Sequence, residues 1–155
     1  MIKEFNGDII KALKMGEIDI LAHGCNCQNR FGYGIAGQIA KQIPVAKKAY
    51  HKLYDQGKVK LGVVQYVKTE FGIVANCMTQ YRYGNARKNG EVYLDYPALE
   101  KVLNYLYKKS KEGKKVGLPE IGCGLAGGDW DRVKEMIARI FHDQEVYVYH
   151  YPGGK

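Results

Sequence analysis

Apolar residues recur along the chain at two spacings, and the change from one to the other marks out the elements. Met1–Phe5 reads as a short strand. After Gly7-Asp8, the segment Ile9–Met15 takes a helical period, with Asp8 placed to cap it. Asp19–His23 is an apolar strand entered from a turn at Gly16. Gly34–Ile43 reads as helical, and Pro44 opens a further helix through about Tyr54, since proline suits a first turn. Val59–Val67 and Gly72–Met78 are β-branched, largely alternating runs, and the Lys68-Thr69-Glu70 link is short enough for an antiparallel hairpin. Tyr96–Glu112 carries Leu99, Val102, Leu103 and Leu106 on one helical face. Asp95 and Pro97 stand at its start and Gly113 lies past its end. Val116–Leu118 is a strand, Asp129–Phe141 a helix capped by Asp129, and Glu145–Tyr149 the final strand.

Strands separated by helices predict a largely parallel sheet with helices on both faces, made mixed by the hairpin. Such sheets bind ligands beyond the carboxyl ends of their strands. Two strand-end loops there are rich in glycine. The first runs Gly24-Cys25-Asn26-Cys27-Gln28-Asn29-Arg30-Phe31-Gly32-Tyr33-Gly34-Ile35-Ala36 and ends at a helix N-terminus, whose amides and dipole suit an anion. The second, Pro119 to Trp130, holds four glycines in the seven residues 122–128, more than one tight turn requires. Neither loop is a Walker A loop, because no Gly-Lys-Ser/Thr follows. Neither is a dinucleotide fingerprint, which requires the first strand and an acidic residue about 20 positions on. Together they suggest a cradle that holds a diphosphate from both sides.

Length fits one domain spanning residues 1–155. No apolar run approaches a membrane span of roughly 18 residues, and the N-terminus is neither a signal nor a transit peptide, so a soluble cytoplasmic chain is expected. The formal charge of +8 favours anionic partners, either nucleic acid or a phosphorylated metabolite. Lys108, Lys109, Lys111, Lys114 and Lys115 gather at a helix end, where they complement the dipole, so nucleic acid is not the expected partner. Tyr81, Tyr83 and Tyr93 with Arg82, Arg87 and Lys88 form a basic aromatic loop able to stack a base or to close over a ligand. Cys25, Cys27, Cys77 and Cys123 lack zinc spacing, so free thiols, no metal and no cofactor are expected.

Gly7-Asp8-Ile9, His23-Gly24-Cys25-Asn26, Gly32-Tyr33-Gly34-Ile35-Ala36, Asn76-Cys77-Met78-Thr79-Gln80 and the Gly122-to-Trp130 loop follow one another across almost the whole chain. In this order they resemble the macrodomain family, and within it the small stand-alone ADP-ribose 1''-phosphate phosphatases, bacteriophage versions included. The resemblance implies a three-layer α/β/α fold with a mixed, mostly parallel sheet, acting on ADP-ribose 1''-phosphate and binding ADP-ribose; a monomer is expected. By the same resemblance Asp8 and the Ile9 amide meet the adenine, and Tyr149 and Tyr151 flank the adenine or its ribose. Gly32, Tyr33, Gly34, Ile35 and Ala36 face Gly122, Cys123, Gly124, Leu125, Ala126 and Gly127 across the diphosphate and distal ribose. Thr79 is a further ligand contact, and Asn26 lies near the reacting carbon.

His23 either manages a proton near neutrality or is a satisfied core histidine. Asp129 either caps the last helix or takes part in catalysis. The related ADP-ribosyl-glutamate hydrolases carry a lysine after the fourth strand and an aspartate in the second glycine loop, places that correspond here to Cys77 and Ala126. That departure favours phosphatase chemistry, and with no metal cluster visible in the sequence, turnover without metal is expected. The rival expectations are a non-catalytic ADP-ribose reader and a hydrolase that removes ADP-ribose from protein or nucleic acid.

Overall fold

In a computed structural model that describes residues 1–151, six strands form one sheet in the order β1-β6-β5-β2-β4-β3. The strands are β1 (Ile2–Asn6), β2 (Ile20–Cys25), β3 (Val64–Lys68), β4 (Ile73–Met78), β5 (Val116–Leu118) and β6 (Val146–His150). Only β3 runs antiparallel to its neighbour, β4, and the remaining pairs are parallel. The helices are α1 (Ile9–Lys14), α2 (Gly34–Gln42), α3 (Pro44–Asp55), α4 (Tyr96–Lys111) and α5 (Trp130–Ile140).

Alternation along the central strands divides the core in two. Ile20 and Ala22 of β2, with Ala75 and Cys77 of β4, pack under α4 and α5 through Leu99, Val102, Leu103, Val133 and Ile137. Leu21, Val74 and Met78 point the other way, onto Ile9 and Leu13 of α1, Ile39 of α2 and Ala46 and Tyr50 of α3. This is the expected three-layer α/β/α arrangement with a mixed, mostly parallel sheet. Both faces of β2 are covered, which explains why it reads as continuously apolar rather than alternating.

Most boundaries move by one or two residues, and that of the third strand by five. The run Val59–Val67 becomes a strand only at Val64. Gly62 sits at φ +85°, its N–H donates to Met78 O at 2.8 Å, and the Val63 N–H donates to Lys60 O, so the chain turns where composition suggests extension. The 69–72 turn is held by the Thr69 hydroxyl, which donates to Gly72 O at 2.8 Å and accepts from the Phe71 and Gly72 amides. Among the described residues no helix is long and apolar enough to cross a membrane.

Candidate functional site

The carboxyl ends of the parallel strands open into one cavity of about 940 Å³. It is reached by the loops that follow β1, β2, β4, β5 and β6. From β1 to β4 the sheet crosses four strand spacings, roughly 19 Å at about 4.8 Å each.

Its lining carries charges of both signs. At the β1–β6 end, Asp8 caps α1, its Oδ1 accepting from the Ile10 amide at 2.9 Å and the Lys11 amide at 3.4 Å, while Oδ2 carries neither bond. Ile9, Tyr149 and Tyr151 line the same end. Tyr149 is nearly buried and stacks on Phe5, with centroids 5.0 Å apart, whereas Tyr151 is 65% exposed at the mouth. Glu120 also lines the cavity, and its Oε2 accepts from His150 Nδ1 at 2.6 Å. His150 Nε2 is 2.9 Å from Glu4 Oε1. Both ring nitrogens therefore face carboxylates. Burial works against the imidazolium, but the bonds to Glu120 and Glu4 outweigh it and leave the pKa raised.

The lining also carries cations, Arg30 within the loop after β2 and Arg87 and Lys88 in the segment after β4, which packs on the loop after β5. Arg30 lies over the Tyr83 ring at 5.1 Å. Between the ends stand the two glycine loops. The first is organised by Asn26. Its Oδ1 accepts from the Gln28 amide (2.9 Å), the Arg30 amide (3.3 Å) and the Tyr50 hydroxyl (3.1 Å), and its Nδ2 donates to Arg30 O (2.8 Å). The loop ends at α2, whose N-cap, Tyr33, makes no side-chain capping bond. The N–H groups of Gly34, Ile35 and Ala36 find no acceptor among the described residues, and all three residues line the cavity. An uncapped helix start at a cavity wall is an anion site in waiting. In the second loop, Gly122, Gly124, Leu125 and Ala126 likewise line the cavity with N–H groups that no atom of the described chain accepts.

Asp8, Ile9, Asn26, Gly32, Tyr33, Gly34, Ile35, Ala36, Gly122, Cys123, Gly124, Leu125, Ala126, Tyr149 and Tyr151 thus share one cavity. Four expected residues are absent from its lining. His23 is fully buried, and its Nε2 lies 2.7 Å from Asn76 Oδ1. Both Asn76 amide protons are donated elsewhere, to Ala46 O and Gln65 Oε1, so Asn76 Oδ1 must accept and His23 carries its proton on Nε2. Burial lowers its pKa to about 4 despite that bond. His23 is a core histidine, with Phe31, which does line the cavity, packed edge-on against it.

Asp129 caps α5, accepting from the Asp131 amide at 3.0 Å, and stands outside the cavity. Thr79 is fully buried behind Gly24, its hydroxyl without a partner and only 2.7 Å from where a Cβ on Gly24 would lie. Gly127, at φ +79°, packs beneath the loop, where a Cβ would meet Glu91 O at 2.7 Å.

Cys77 is absent from the lining as well. It is fully buried under α4, and the residue after β4 that reaches the cavity is Gln80. Gln80, Glu120, Phe31, Arg30 and Arg87 are lining residues that motif reading did not assign. For Arg87 and Lys88 the basic aromatic loop was the available signal. A shallower groove of about 460 Å³ between α4 and α5 has its arginines engaged, Arg139 on Glu100 at 2.6 Å and Arg132 over the Tyr96 ring at 3.6 Å.

The buried histidine has a consequence for stability. The unfolded chain binds a proton on His23 below about pH 6.5, and the folded chain does so only near 4. Stability should therefore rise with pH across that window, by about 3 kcal/mol in total, and level off above it. In urea titrations, His23→Gln should flatten the difference between about pH 7 and about pH 4.5 by roughly 2 kcal/mol. An unchanged acid limb would show that the histidine does not titrate as a buried group.

These features define a three-layer α/β domain with a ligand cavity along the carboxyl edge of its sheet. The family model for the Macro domain matches residues 22–137, and the chain belongs to that family. An uncharacterized 17.5 kDa protein of Enterobacteria phage T4, from the tk-vs intergenic region, is 28% identical over 96% of this chain and 95% of its own. The ADP-ribose 1''-phosphate phosphatase of Lodderomyces elongisporus is 24% identical over 95% of this chain and 98% of its own. The DNA ADP-ribosyl glycohydrolase of Mycobacterium tuberculosis is 26% identical over 99% of this chain but only 43% of its own length. A solved structure from Bacteroides thetaiotaomicron superposes with a TM-score of 0.85 at 28% identity, covering 97% of this chain and 98% of that one.

Proposed function

We propose that the cavity binds ADP-ribose lengthwise and that the protein hydrolyses ADP-ribose 1''-phosphate to ADP-ribose and phosphate. The observation that carries this reading is the lining of the cavity. A carboxylate acceptor and aromatic walls stand at the β1–β6 end, two rows of uncommitted N–H groups face the cavity from the glycine loops, and Arg30 and Lys88 add positive charge to the lining. An adenine amino group suits Asp8, a diphosphate suits the two glycine loops, and a terminal phosphate suits Arg30 and Lys88. The relatives named as ADP-ribose 1''-phosphate phosphatases support the same assignment.

Hydrolysis of a phosphate monoester through a loose transition state asks mainly for positioning and charge stabilisation. Arg30 and Lys88 supply such charge, and among the described residues the lining holds no histidine and two carboxylates, Asp8 as a helix cap and Glu120 on His150. Cys25 is no nucleophile, since burial raises its thiol pKa well above the ordinary value. Phosphate release from ADP-ribose 1''-phosphate, measured beside calorimetry with ADP-ribose, tests the proposal. The same lack of a histidine in the lining favours a second reading, a reader that retains ADP-ribose without turnover, and binding with no phosphate release would select it. With Gln80 and Ala126 at the cavity, a lysine–aspartate route for removing ADP-ribose from macromolecules has no support from the lining.

The adenine end offers a clean separation of roles. Asparagine caps helices as well as aspartate does, so Asp8→Asn should leave the melting temperature unchanged. It should weaken ADP-ribose by about tenfold, through loss of a charge-assisted hydrogen bond. Calorimetry showing unchanged affinity would reduce Asp8 to a helix cap.

A further inference from the structure

We propose that Arg87 is a positioning residue that makes the second glycine loop into an anion-binding surface by taking up its carbonyl groups. The inference rests on the anion-binding reading of the cavity. Arg87 lies in the short 3-10 turn Arg87–Asn89, 36 residues or more before the loop it serves. Its Nε donates to Gly124 O at 2.8 Å, and its Nη2 donates to Cys123 O at 2.6 Å and to Gly128 O at 2.8 Å. Flanking backbone completes the set, with the Ala86 amide donating to Leu125 O and the Tyr93 and Leu94 amides to Ala126 O. Every carbonyl from Cys123 to Ala126 is thereby bonded to the 86–94 segment, while the N–H groups of Gly124, Leu125 and Ala126 stay uncommitted.

A peptide unit whose carbonyl is pinned on one side presents its N–H to the other. An anion approaching the loop then meets donors without the repulsion of neighbouring carbonyl oxygens. The guanidinium suits this task because it is a rigid fork with several donors, which a lysine cannot reproduce. Three bonds use the single proton of Nε and both protons of Nη2.

The experiment is a titration of 15N-labelled full chain with inorganic pyrophosphate, followed through the amides of Gly124, Leu125 and Ala126, with ADP-ribose calorimetry alongside. In the wild type these amides should exchange rapidly when free and should shift and gain protection with pyrophosphate. Arg87→Lys should weaken pyrophosphate and ADP-ribose by about 10- to 100-fold and abolish the second-loop shifts. The Ile35 and Ala36 amides at the start of α2 should still respond, which a general loss of structure would not allow. Lys88→Ala, which removes an equal charge without touching a carbonyl, should cost less than Arg87→Lys.

Wild-type affinity in Arg87→Lys would overturn the proposal and leave Arg87 as a bare charge. Protection of the three amides in free wild-type protein would overturn it too, whatever the variants do. A pyrophosphate response that depends on Arg87, with no heat from ADP-ribose, would sustain the proposal and defeat the ADP-ribose reading instead.

Discussion

Gly34→Val should lower ADP-ribose affinity by more than about a thousandfold while leaving a folded protein. Gly34 opens α2 at φ +56°, a conformation that costs a β-branched residue roughly 1–2 kcal/mol. A Cβ there meets no atom of the chain within 4 Å, so the core is not disturbed and the expected loss in melting temperature is small. The side chain projects from the residue whose N–H begins the uncapped row Gly34, Ile35, Ala36. Shifting that backbone removes several charge-assisted bonds to a diphosphate at once, each worth about 1.5–3 kcal/mol. Calorimetry and thermal melting on the same sample separate the two effects. A variant that binds ADP-ribose normally would place the diphosphate elsewhere and remove the first glycine loop from the site.

Much of this architecture is legible from periodicity alone. The Leu99–Leu106 stripe defines α4 and its buried face, and the aspartates at positions 8, 95 and 129 mark three helix starts where the structure finds capping bonds. The two glycine loops are legible as well, because glycine clusters at strand ends have few other physical uses.

Depth is not legible. His23 and Cys77 lie beside loop residues in sequence, yet strand register decides what they meet. His23 pairs in register with Asn76 on the α1–α3 side, and Cys77 faces α4. Where β4 ends also decides whether Cys77 or Gln80 follows it, and alternation fixes a strand's face better than its last residue. Arg87 is hidden for another reason, because its bonds join segments far apart in sequence and no local pattern signals a carbonyl waiting 36 positions away. Thr79 and Gly127 belong to motifs that do form the cavity, but they support it from behind.

Asn26 is where the structure changes the expectation most, and two substitutions should show it. Four hydrogen bonds tie its side chain to the Gln28 and Arg30 backbone and to Tyr50. Asn26→Ala removes all of them and should loosen the first loop. Binding and turnover should then fall together, by about 10- to 100-fold each, rather than turnover alone. Asn26→Asp is the sharper probe. A carboxylate keeps the acceptor atoms for the Gln28 and Arg30 amides, so those two contacts are retained. It gives up the Nδ2 donor, one N–H of which goes to Arg30 O, leaving the other for a ligand. It also sets a negative charge beside the place proposed for the transferring phosphoryl group. Loss of one donor to developing charge costs about 100- to 1000-fold in kcat, and repulsion adds to that, so turnover of ADP-ribose 1''-phosphate should drop by at least about a thousandfold. ADP-ribose, which lacks the terminal phosphate, should lose only about tenfold in affinity. The ratio of the two losses is the decisive quantity. Equal losses would mean that Asn26 acts only through loop geometry, because a group used equally in the ground state and the transition state leaves the chemical step alone.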